Sequence, residues 1–417
     1  RWNNISCSHL VYLVKIFDIM KKKIAILGST GSVGKQTIDL IRRDKKNFQI
    51  LLLTANKNHT LLSKQIKEFK VKNVIITDKR SYFIIKKKFK KINIANTLDK
   101  IDKIIKSKLD YTMSSISGFE GLKPTIKIIK KTKKIAIANK ESIICGWSLI
   151  NKELKKYKTK FIPVDSEHFS MWSIIKNINP SKIDEVIITA SGGPFYNLRN
   201  SLIKKTPKLA INHPNWKMGK KISIDSATLM NKVFEVIEAK KIFNLDLKKF
   251  KILIHPKSYI HAIVKLNNGL IKLVAHETDM KIPIFNSIYD DENKKYKSKK
   301  LNINLLNNLN LNHVDPKKYP MINILKNLKN EDTLFETLLV SVNDELVDQF
   351  LKNKISFDNI SIMLRKIIKY KIFVKYRSKK VNNLAQIEKL NEFVRLKTKS
   401  LSVISQIKWK ILDYFYC

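Results

Sequence analysis

The chain has 417 residues, 44% of them hydrophobic, which is too long for a single core and indicates two or three domains. Only 10 glycines and 10 prolines argue against a disordered chain, and the lack of a long uninterrupted apolar run argues against a membrane-spanning helix. The net charge of +47 would suit a polyanionic partner such as nucleic acid. However, only eight of the 82 basic residues are Arg, and the lysines are spread along the chain together with many Asn and Ile. This composition favours drift in nucleotide composition over specific nucleic-acid binding.

The first nineteen residues differ from the rest of the sequence. Their apolar stretch from Leu10 to Ile19 is interrupted by Lys15 and Asp18, and it lacks the cleavage site of a signal peptide. We therefore interpret residues 1–19 as an extension outside the fold, and Met20 as the start of the folded part.

The three cysteines, Cys7, Cys145 and Cys417, are odd in number, far apart and without metal-type spacing. This usage predicts a reducing compartment and no disulfide framework. We expect a cytoplasmic protein.

Residues 20–168 alternate strands and helices in the manner of a parallel, doubly wound sheet. Short apolar runs predict the strands, and apolar residues at helical spacing separate them. The predicted strands are Ile24–Leu27, Ile50–Leu53, Val74–Ile76 and Ile135–Ala138. The fold class is therefore α/β, beginning with a Rossmann-like domain.

Three glycines, Gly28, Gly31 and Gly34, lie between the first predicted strand and helix, where backbone amides can hold a pyrophosphate. The spacing is GxxGxxG instead of GxGxxG, so a tight turn that merely requires glycine is the alternative. The second strand is followed by Lys57, in place of the acid that binds the ribose hydroxyls of NAD. This cation favours NADP.

The segment PVDSEH places Asp165 and Glu167 two residues apart. In an extended segment their carboxylates point to the same side, and such a pair of hard ligands suits Mg²⁺ or Mn²⁺. An exposed strand end with scattered charge is the alternative.

A single helix is predicted to begin near Ser226 and to continue through MNKVFEVIEA. It puts Asn231, Glu235 and Glu238 on one stripe, which would present an amide and carboxylates, together with Lys232, to a cleft. An ordinary amphipathic surface helix explains Glu238 but not Asn231, because Asn is a weak residue inside helices.

Two further segments are typical of site loops. Ser191, followed by Gly-Gly-Pro, offers a hydroxyl beside free amides and predicts a phosphate nest. His213 and Trp216 precede Gly219 in HPNWKMG, a composition typical of a lid that closes over a ligand. The alternative for His213 and Trp216 is a place in the core.

The rest of the chain predicts two more domains. We expect a central α/β catalytic domain over 169–300, which holds most of these polar motifs, and a C-terminal α-helical domain within 301–417. Leu334 and Leu338 begin a helical repeat there, and the Lys- and Asn-rich stretch 291–312 is predicted to be the linker before it.

Together these motifs resemble the 1-deoxy-D-xylulose 5-phosphate reductoisomerase family of the non-mevalonate isoprenoid pathway. The family's motifs occur in the same order across residues 21–400: GSTGSVG, ANKES, PVDSEH, SGGPF, HPNWKMGKKISIDSATLMNK and HPKSYIH. The block from HPNW to MNK is long and highly specific. The resemblance implies a homodimeric enzyme that uses NADPH and Mg²⁺ or Mn²⁺, or Co²⁺ in their place. Such an enzyme rearranges and reduces 1-deoxy-D-xylulose 5-phosphate to 2-C-methyl-D-erythritol 4-phosphate.

The resemblance also implies a role for each matching residue. The metal ion would be held by Asp165, Glu167 and Glu235. The substrate, a small phosphorylated sugar, would contact Lys140, Ser166, Glu167, Ser191, His213, Ser226, Asn231, Lys232 and Glu235. The cofactor would contact Thr30, Gly31, Ser32, Val33, Asn56, Lys57, Asn58, Asn139, Glu141 and Gly219. Catalysis would depend on Lys140, Asp165, Glu167, His213 and Glu235, beneath a lid that contains Trp216 and Met218.

The sequence departs from the family's pattern at three positions. Asn56 replaces the usual glycine after the second strand, Val233 replaces a small residue, and Thr278 replaces a proline. None of these changes removes an implied ligand.

Three other interpretations stay open at the level of sequence. A different NADP enzyme, such as a semialdehyde dehydrogenase, would need a catalytic cysteine in its second domain, and Cys145 precedes that region. A nucleic-acid-binding protein would need clustered aromatic or Arg residues, which here are scattered. An inactive homologue is opposed by the intact ligand positions.

Overall fold

The computed structural model describes residues 21–198 and 204–415, with side chains described up to residue 402. The predicted extension 1–19 lies outside the described residues, as do Cys7 and Cys417. No helix in the described part of the chain is long and apolar enough to cross a membrane.

Seven parallel strands form the first sheet. They are β1 (Lys22–Leu27), β2 (Phe48–Ala55), β3 (Asn73–Ile76), β4 (Asn93–Ala95), β5 (Leu109–Ser114), β6 (Thr132–Ile137) and β7 (Lys160–Pro163). Their order is β4-β3-β2-β1-β5-β6-β7, so the strand order reverses between β1 and β5. The four predicted strands correspond to β1, β2, β3 and β6, and the predicted doubly wound sheet is confirmed.

Helices cover both faces of this sheet. They are α1 (Ser32–Arg43), α2 (His59–Phe69), α3 (Lys79–Lys88), α4 (Ile101–Ile104), α5 (Leu122–Ile129) and α6 (Lys140–Tyr157). Successive strand residues point to opposite faces, so Ile24 and Ile26 enter one core while Ala25 and Leu27 enter another. This double burial explains why the strands of the sheet are short continuous apolar runs.

A second, mixed sheet of five strands follows. Its strands are β8 (Ile183–Ala190), β9 (Phe250–Ile254), β10 (Ile260–Leu266), β11 (Ile271–Ala275) and β12 (Asn312–His313), in the order β11-β10-β8-β9-β12. The helices of this region are α7 (Ser166–Ile175), α8 (Pro207–Ala210), α9 (Lys220–Ala227), α10 (Met230–Phe243), α11 (Lys281–Ile288) and α12 (Ile303–Asn307). The stretch predicted as a linker, 291–312, is more than a linker, because it contains α12 and its last residue pairs with Ile254.

The C-terminal part is helical, as predicted. It contains α13 (Phe335–Leu351), α14 (Phe357–Ile367), α15 (Lys371–Val374) and α16 (Leu384–Phe415). Leu334 and Leu338 of the predicted repeat are fully buried. The largest core runs from the first sheet through α10 to α13, so the C-terminal helices and α10 share one core.

The helix predicted to begin near Ser226 is two helices, and that prediction is wrong. Leu229 adopts a left-handed conformation, with φ at 57°, between α9 and α10. A bulky residue is strained in this conformation, but the Leu229 side chain is buried against Ile254 and Tyr319, which offsets the strain. The break places Asn231 in the first turn of α10 instead of inside a helix.

Candidate active site

A cleft of about 510 Å³ opens at the carboxyl ends of the parallel strands, beside the reversal between β1 and β5. This edge is where α/β sheets bind ligands. The predicted residues that line the cleft are Gly31, Ser32, Val33, Asn139, Lys140, Glu141, Asp165, Ser166, Glu167, Ser191, His213, Trp216, Met218, Gly219, Ser226, Asn231, Lys232 and Glu235. The predicted residues outside its lining are Thr30, in the glycine turn, and Asn56, Lys57 and Asn58, which follow β2.

The glycine turn after β1 is held against the ends of its two neighbouring strands. Gly28 has φ at 83°, and a β-carbon there would lie 2.8 Å from the Ser115 carbonyl oxygen. A β-carbon at Gly34 would clash with the Gly28 carbonyl oxygen. The Gly28 amide donates to Thr54 Oγ1 at 2.8 Å, which joins the turn to β2. Glycine is therefore required at both positions, and the turn exposes amides at the start of α1.

Three carboxylates converge in the cleft. Asp165, Glu167 and Glu235 each offer an oxygen, and these oxygens lie within 4.8 Å of one another. The expected extended segment around Asp165 is wrong, because α7 begins at Ser166. Asp165 precedes this helix and Glu167 lies in its first turn, where the free amides of a helix start favour acidic side chains. Glu235 reaches the same point from α10.

Lys140 connects this cluster to the first domain. Its Nζ lies 3.0 Å from Asp165 Oδ2 and 3.2 Å from Glu235 Oε1, and it donates to Asn231 Oδ1 at 2.6 Å. Burial opposes the charge of Lys140, but the carboxylates of Asp165 and Glu235 raise its pKa well above the usual value. Lys140 is therefore a buried, charged side chain.

Lys232 compensates the other side of the cluster. Its Nζ donates to Glu167 Oε1 at 2.5 Å and also to Glu235 Oε2. Burial, followed by repulsion from Glu235, raises the pKa of Glu167 to about 7 even though Lys232 acts in the opposite direction. Three carboxylates and two ammonium groups thus share one buried space.

His168 holds two of the metal-ligand candidates in position, a role that the sequence did not indicate. Its Nδ1 lies 3.0 Å from Asp165 Oδ1, and its Nε2 lies 2.8 Å from the Glu235 carbonyl oxygen. Both partners are acceptors, so both ring nitrogens donate and the imidazole is cationic. Burial opposes this charge, but Glu238, 3.5 Å from Nδ1, and Asp165 raise the pKa of His168 to about 9. Glu238 is thus buried and not the surface residue that the alternative interpretation made it.

Ser191 and His213 form a pair on the opposite wall. His213 Nδ1 accepts from the Asn215 and Trp216 amides, at 3.2 and 3.1 Å. The proton of the neutral ring is therefore on Nε2, which donates to Ser191 Oγ at 2.8 Å. Burial, with the nearby Lys232 ammonium second, lowers the pKa of His213 to about 4. Ser191 Oγ also accepts from the Gly193 amide, which leaves its own hydroxyl proton for a ligand.

The lining also contains residues that were not predicted, among them Ser115, Ser117, Lys221, Asp225, Ser258, His261 and Met280. Lys221 bonds Glu141 and lies 3.2 Å from Asp225 Oδ2 and 2.9 Å from Asp344 Oδ1, so it joins α6, α9 and α13. Lys221, Asp225, Ser258 and His261 fall inside the motifs HPNWKMGKKISIDSATLMNK and HPKSYIH, and that position was the signal available in the sequence.

The core alternative for the lid residues and the cysteine-enzyme alternative both fail on geometry. His213 and Trp216 are half-buried and line the cleft. Cys145, the free thiol among the described residues, is buried on α6 and does not line the cleft, and burial raises its pKa.

Models of one family match three parts of the chain. The 1-deoxy-D-xylulose 5-phosphate reductoisomerase model matches residues 24–146, and two C-terminal domain models of the same enzyme match 161–243 and 276–397. The chain is 58% identical to the 1-deoxy-D-xylulose 5-phosphate reductoisomerase of Pelagibacter ubique, over 92% of this chain and 100% of the relative. The enzyme of Wolbachia pipientis wMel is 38% identical, over 81% and 87%.

Solved structures agree with these matches. A reductoisomerase from Zymomonas mobilis in complex with NADPH superposes with a TM-score of 0.80 at 30% identity, covering 92% of this chain and 99% of that chain. A reductoisomerase in complex with NADPH, fosmidomycin and magnesium gives a TM-score of 0.86 at 28% identity, with the same coverage. The chain therefore belongs to the 1-deoxy-D-xylulose 5-phosphate reductoisomerase family.

Proposed function

We propose that this chain converts 1-deoxy-D-xylulose 5-phosphate to 2-C-methyl-D-erythritol 4-phosphate with NADPH and a divalent metal ion, and that the residues of the cleft have the roles given below. The observation that carries the assignment of roles is the convergence of Asp165, Glu167 and Glu235 beside two buried lysines, next to the glycine turn. Membership of the family supports the overall reaction.

The donor set fits Mg²⁺ or Mn²⁺. Asp165, Glu167 and Glu235 offer hard oxygen ligands, and neither Cys nor His belongs to this set. When bound there, the ion supplies Lewis-acid polarisation of the substrate's oxygens. His168 keeps the Asp165 carboxylate and the Glu235 backbone in register, so the ligand positions are set before the ion binds.

The phosphate of the substrate is assigned to the opposite wall. Ser191 offers a hydroxyl proton, and His213 stays neutral at physiological pH and orients it. Ser226 and Asn231 line the same cavity. The Lys232 ammonium also lines it and is close enough to His213 to lower the pKa of that ring. Binding energy gained at the phosphate orients the distant reacting carbons, which Lys140 and Ser166 face across the cleft.

The cofactor is assigned to the glycine-turn side. The turn, with Thr30 to Val33, would hold the pyrophosphate, and Asn139, Glu141 and Gly219 would line the path of the nicotinamide. Asn56 to Asn58 would contact the adenosine end. Trp216 and Met218 would close over the site and exclude water from the reduction.

We also propose domains at 20–168, 169–300 and 301–417, and a cytoplasmic location, which the few and widely spaced cysteines support.

We further propose a homodimer that forms at β11. β11 is an edge strand, and Ile271 and Leu273 lie on one of its faces with 64% and 47% of their surfaces exposed. Sedimentation velocity should give a dimer for the wild type and a monomer for Ile271→Lys/Leu273→Lys, and a dimer in both would contradict the assignment to β11.

The reaction is tested by following NADPH absorbance with 1-deoxy-D-xylulose 5-phosphate and Mg²⁺. Consumption of NADPH that requires substrate, stops after the metal is removed with EDTA, and resumes with added Mn²⁺ supports the proposal. A folded protein that binds NADPH and shows no turnover with any of these ions would overturn it.

A further inference from the structure

A second polar feature lies outside the cleft, where β2 and β3 end side by side. The strands pair in register, Ala55 opposite Ile76, and the Thr77 amide donates to the Ala55 carbonyl oxygen at 3.1 Å. Beyond the strands, Ser81 Oγ donates to the Lys57 carbonyl oxygen at 2.9 Å. The segment that starts α3 is therefore fastened to the segment that follows β2.

This junction gathers three cations. Lys57, Lys79 and Arg80 are all exposed, and none of them takes part in an ion pair with the described residues. Elsewhere, Arg42 is paired with Asp39 and Glu68 in the usual way. Arg80 is one of only eight arginines in a chain whose basic residues are almost all Lys, so general enrichment in Lys does not explain it.

The acid at this junction is already engaged. The Asp78 carboxylate accepts from the Ser81 amide at 2.9 Å and caps α3. This bond first, and the charges of Lys57 and Arg80 at longer range, lower the pKa of Asp78. Asp78 therefore completes the helix, and the guanidinium of Arg80 is left to bind an outside anion.

We propose that Arg80 binds the 2′-phosphate of NADPH together with Lys57 and so contributes to the preference for NADPH over NADH. The inference rests on the proposed function, which places the pyrophosphate at the glycine turn. From there the adenosine ribose of a doubly wound fold reaches the end of β2, where a nearby Arg accommodates a 2′-phosphate.

The chemistry favours Arg80 over the lysines as the added contact. A planar guanidinium can donate two parallel hydrogen bonds to one phosphate, which an ammonium group cannot do. Asn56 carries a side chain, so its backbone approaches a phosphate less readily than a glycine at this position would. A side-chain contact from the neighbouring strand end compensates for that loss.

The test compares Arg80→Gln with Lys88→Gln, which removes the same charge from the other end of α3. The dissociation constants of NADPH and NADH are measured separately from the fluorescence of the reduced nicotinamide, without substrate or turnover. We expect Arg80→Gln to weaken NADPH about tenfold, the loss of one charge-assisted contact, and to leave NADH unchanged. Lys88→Gln should leave both dissociation constants as in the wild type. In competition with NADPH, 2′-AMP should bind Arg80→Gln more weakly than it binds the wild type.

The outcomes separate this inference from the proposed function. Suppose that the wild type binds NADPH more tightly than NADH. An Arg80→Gln variant with an unchanged dissociation constant for NADPH, or with an equal loss of affinity for NADPH and NADH, then overturns the role of Arg80. An equal loss in Lys88→Gln also overturns it, because net charge would then suffice. A wild type that binds NADH as tightly as NADPH overturns both the inference and the proposed cofactor.

Discussion

Replacing Glu235 with Gln is expected to abolish turnover while leaving the protein folded and able to bind NADPH. Glu235 is the member of the carboxylate cluster that touches both Lys140 and Lys232, and it is 1% exposed. The amide is nearly isosteric but cannot supply the charge of a metal ligand, whose share of transition-state stabilisation is several kcal/mol, or about a thousandfold in kcat. Steady-state NADPH consumption measures the loss, and circular dichroism confirms the fold.

Two other Glu→Gln variants provide the comparison. Glu238 lies one turn further along α10 and touches His168 instead of the cluster, so Glu238→Gln should lower turnover only about ten- to a hundredfold. Glu345 on α13 is outside the cleft, and Glu345→Gln should leave turnover unchanged. Equal losses at Glu235 and Glu238 would contradict the assignment of Glu235 as a ligand.

Replacing Lys140 with Met is expected to destabilise the metal-free protein and to abolish turnover. Lys140 is buried and lies within about 3 Å of Asp165 and Glu235, so its removal takes one cation away from two buried carboxylates that His168 and Lys232 then compensate only in part. Breaking a buried ion pair by removing one partner costs about 3–5 kcal/mol. Urea unfolding in EDTA measures the loss.

Added Mg²⁺ should restore more stability to Lys140→Met than it gives to the wild type. The ion would replace the missing positive charge, and a ligand that binds only the folded state stabilises it by mass action. Lys205→Met, which breaks the exposed pair with Asp358, is the control and should cost no more than about 1 kcal/mol with no metal dependence. A Lys140→Met protein that Mg²⁺ does not stabilise would mean that Lys140 and the metal do not share these carboxylates.

The nucleotide half of the fold could be predicted from local pattern. Gly34 is required by a contact within one strand-turn-helix unit, and Gly28 has a positive φ in the same turn, so the signal for both lies in a few neighbouring residues, although Gly28 also lies against the distant Ser115 carbonyl. The strands on either side are buried on both faces, and continuous apolar runs such as Ile24 to Leu27 reveal this directly.

The geometry of the site could be predicted only in part, because its contacts are distant in sequence. Asp165 and Glu167 were chosen from a strand pattern, yet they meet Glu235 because α7 begins between them. The left-handed turn at Leu229 depends on an apolar pocket formed by residues far along the chain.

The ion pairs and the orienting histidine were beyond local pattern for the same reason. Lys140 was assigned to the substrate by resemblance, but its three partners come from the residue before α7 and from α10, and no local spacing indicates them. His168 is the last residue of the PVDSEH motif and looks like an ordinary helix residue until the backbone of α10 lies against its ring. Such positions are decided by packing and not by residue type alone.

The central claim is that Asp165, Glu167 and Glu235 form the metal site on which turnover depends, and Mn²⁺ binding tests it most directly. The six-line electron paramagnetic resonance signal of free Mn²⁺, followed during titration into metal-free protein, counts bound ions without substrate or cofactor. The account predicts one strong site per chain in the wild type and in Glu345→Gln, and loss of that site in Glu235→Gln. A Glu235→Gln protein that binds Mn²⁺ as tightly as the wild type would contradict the account.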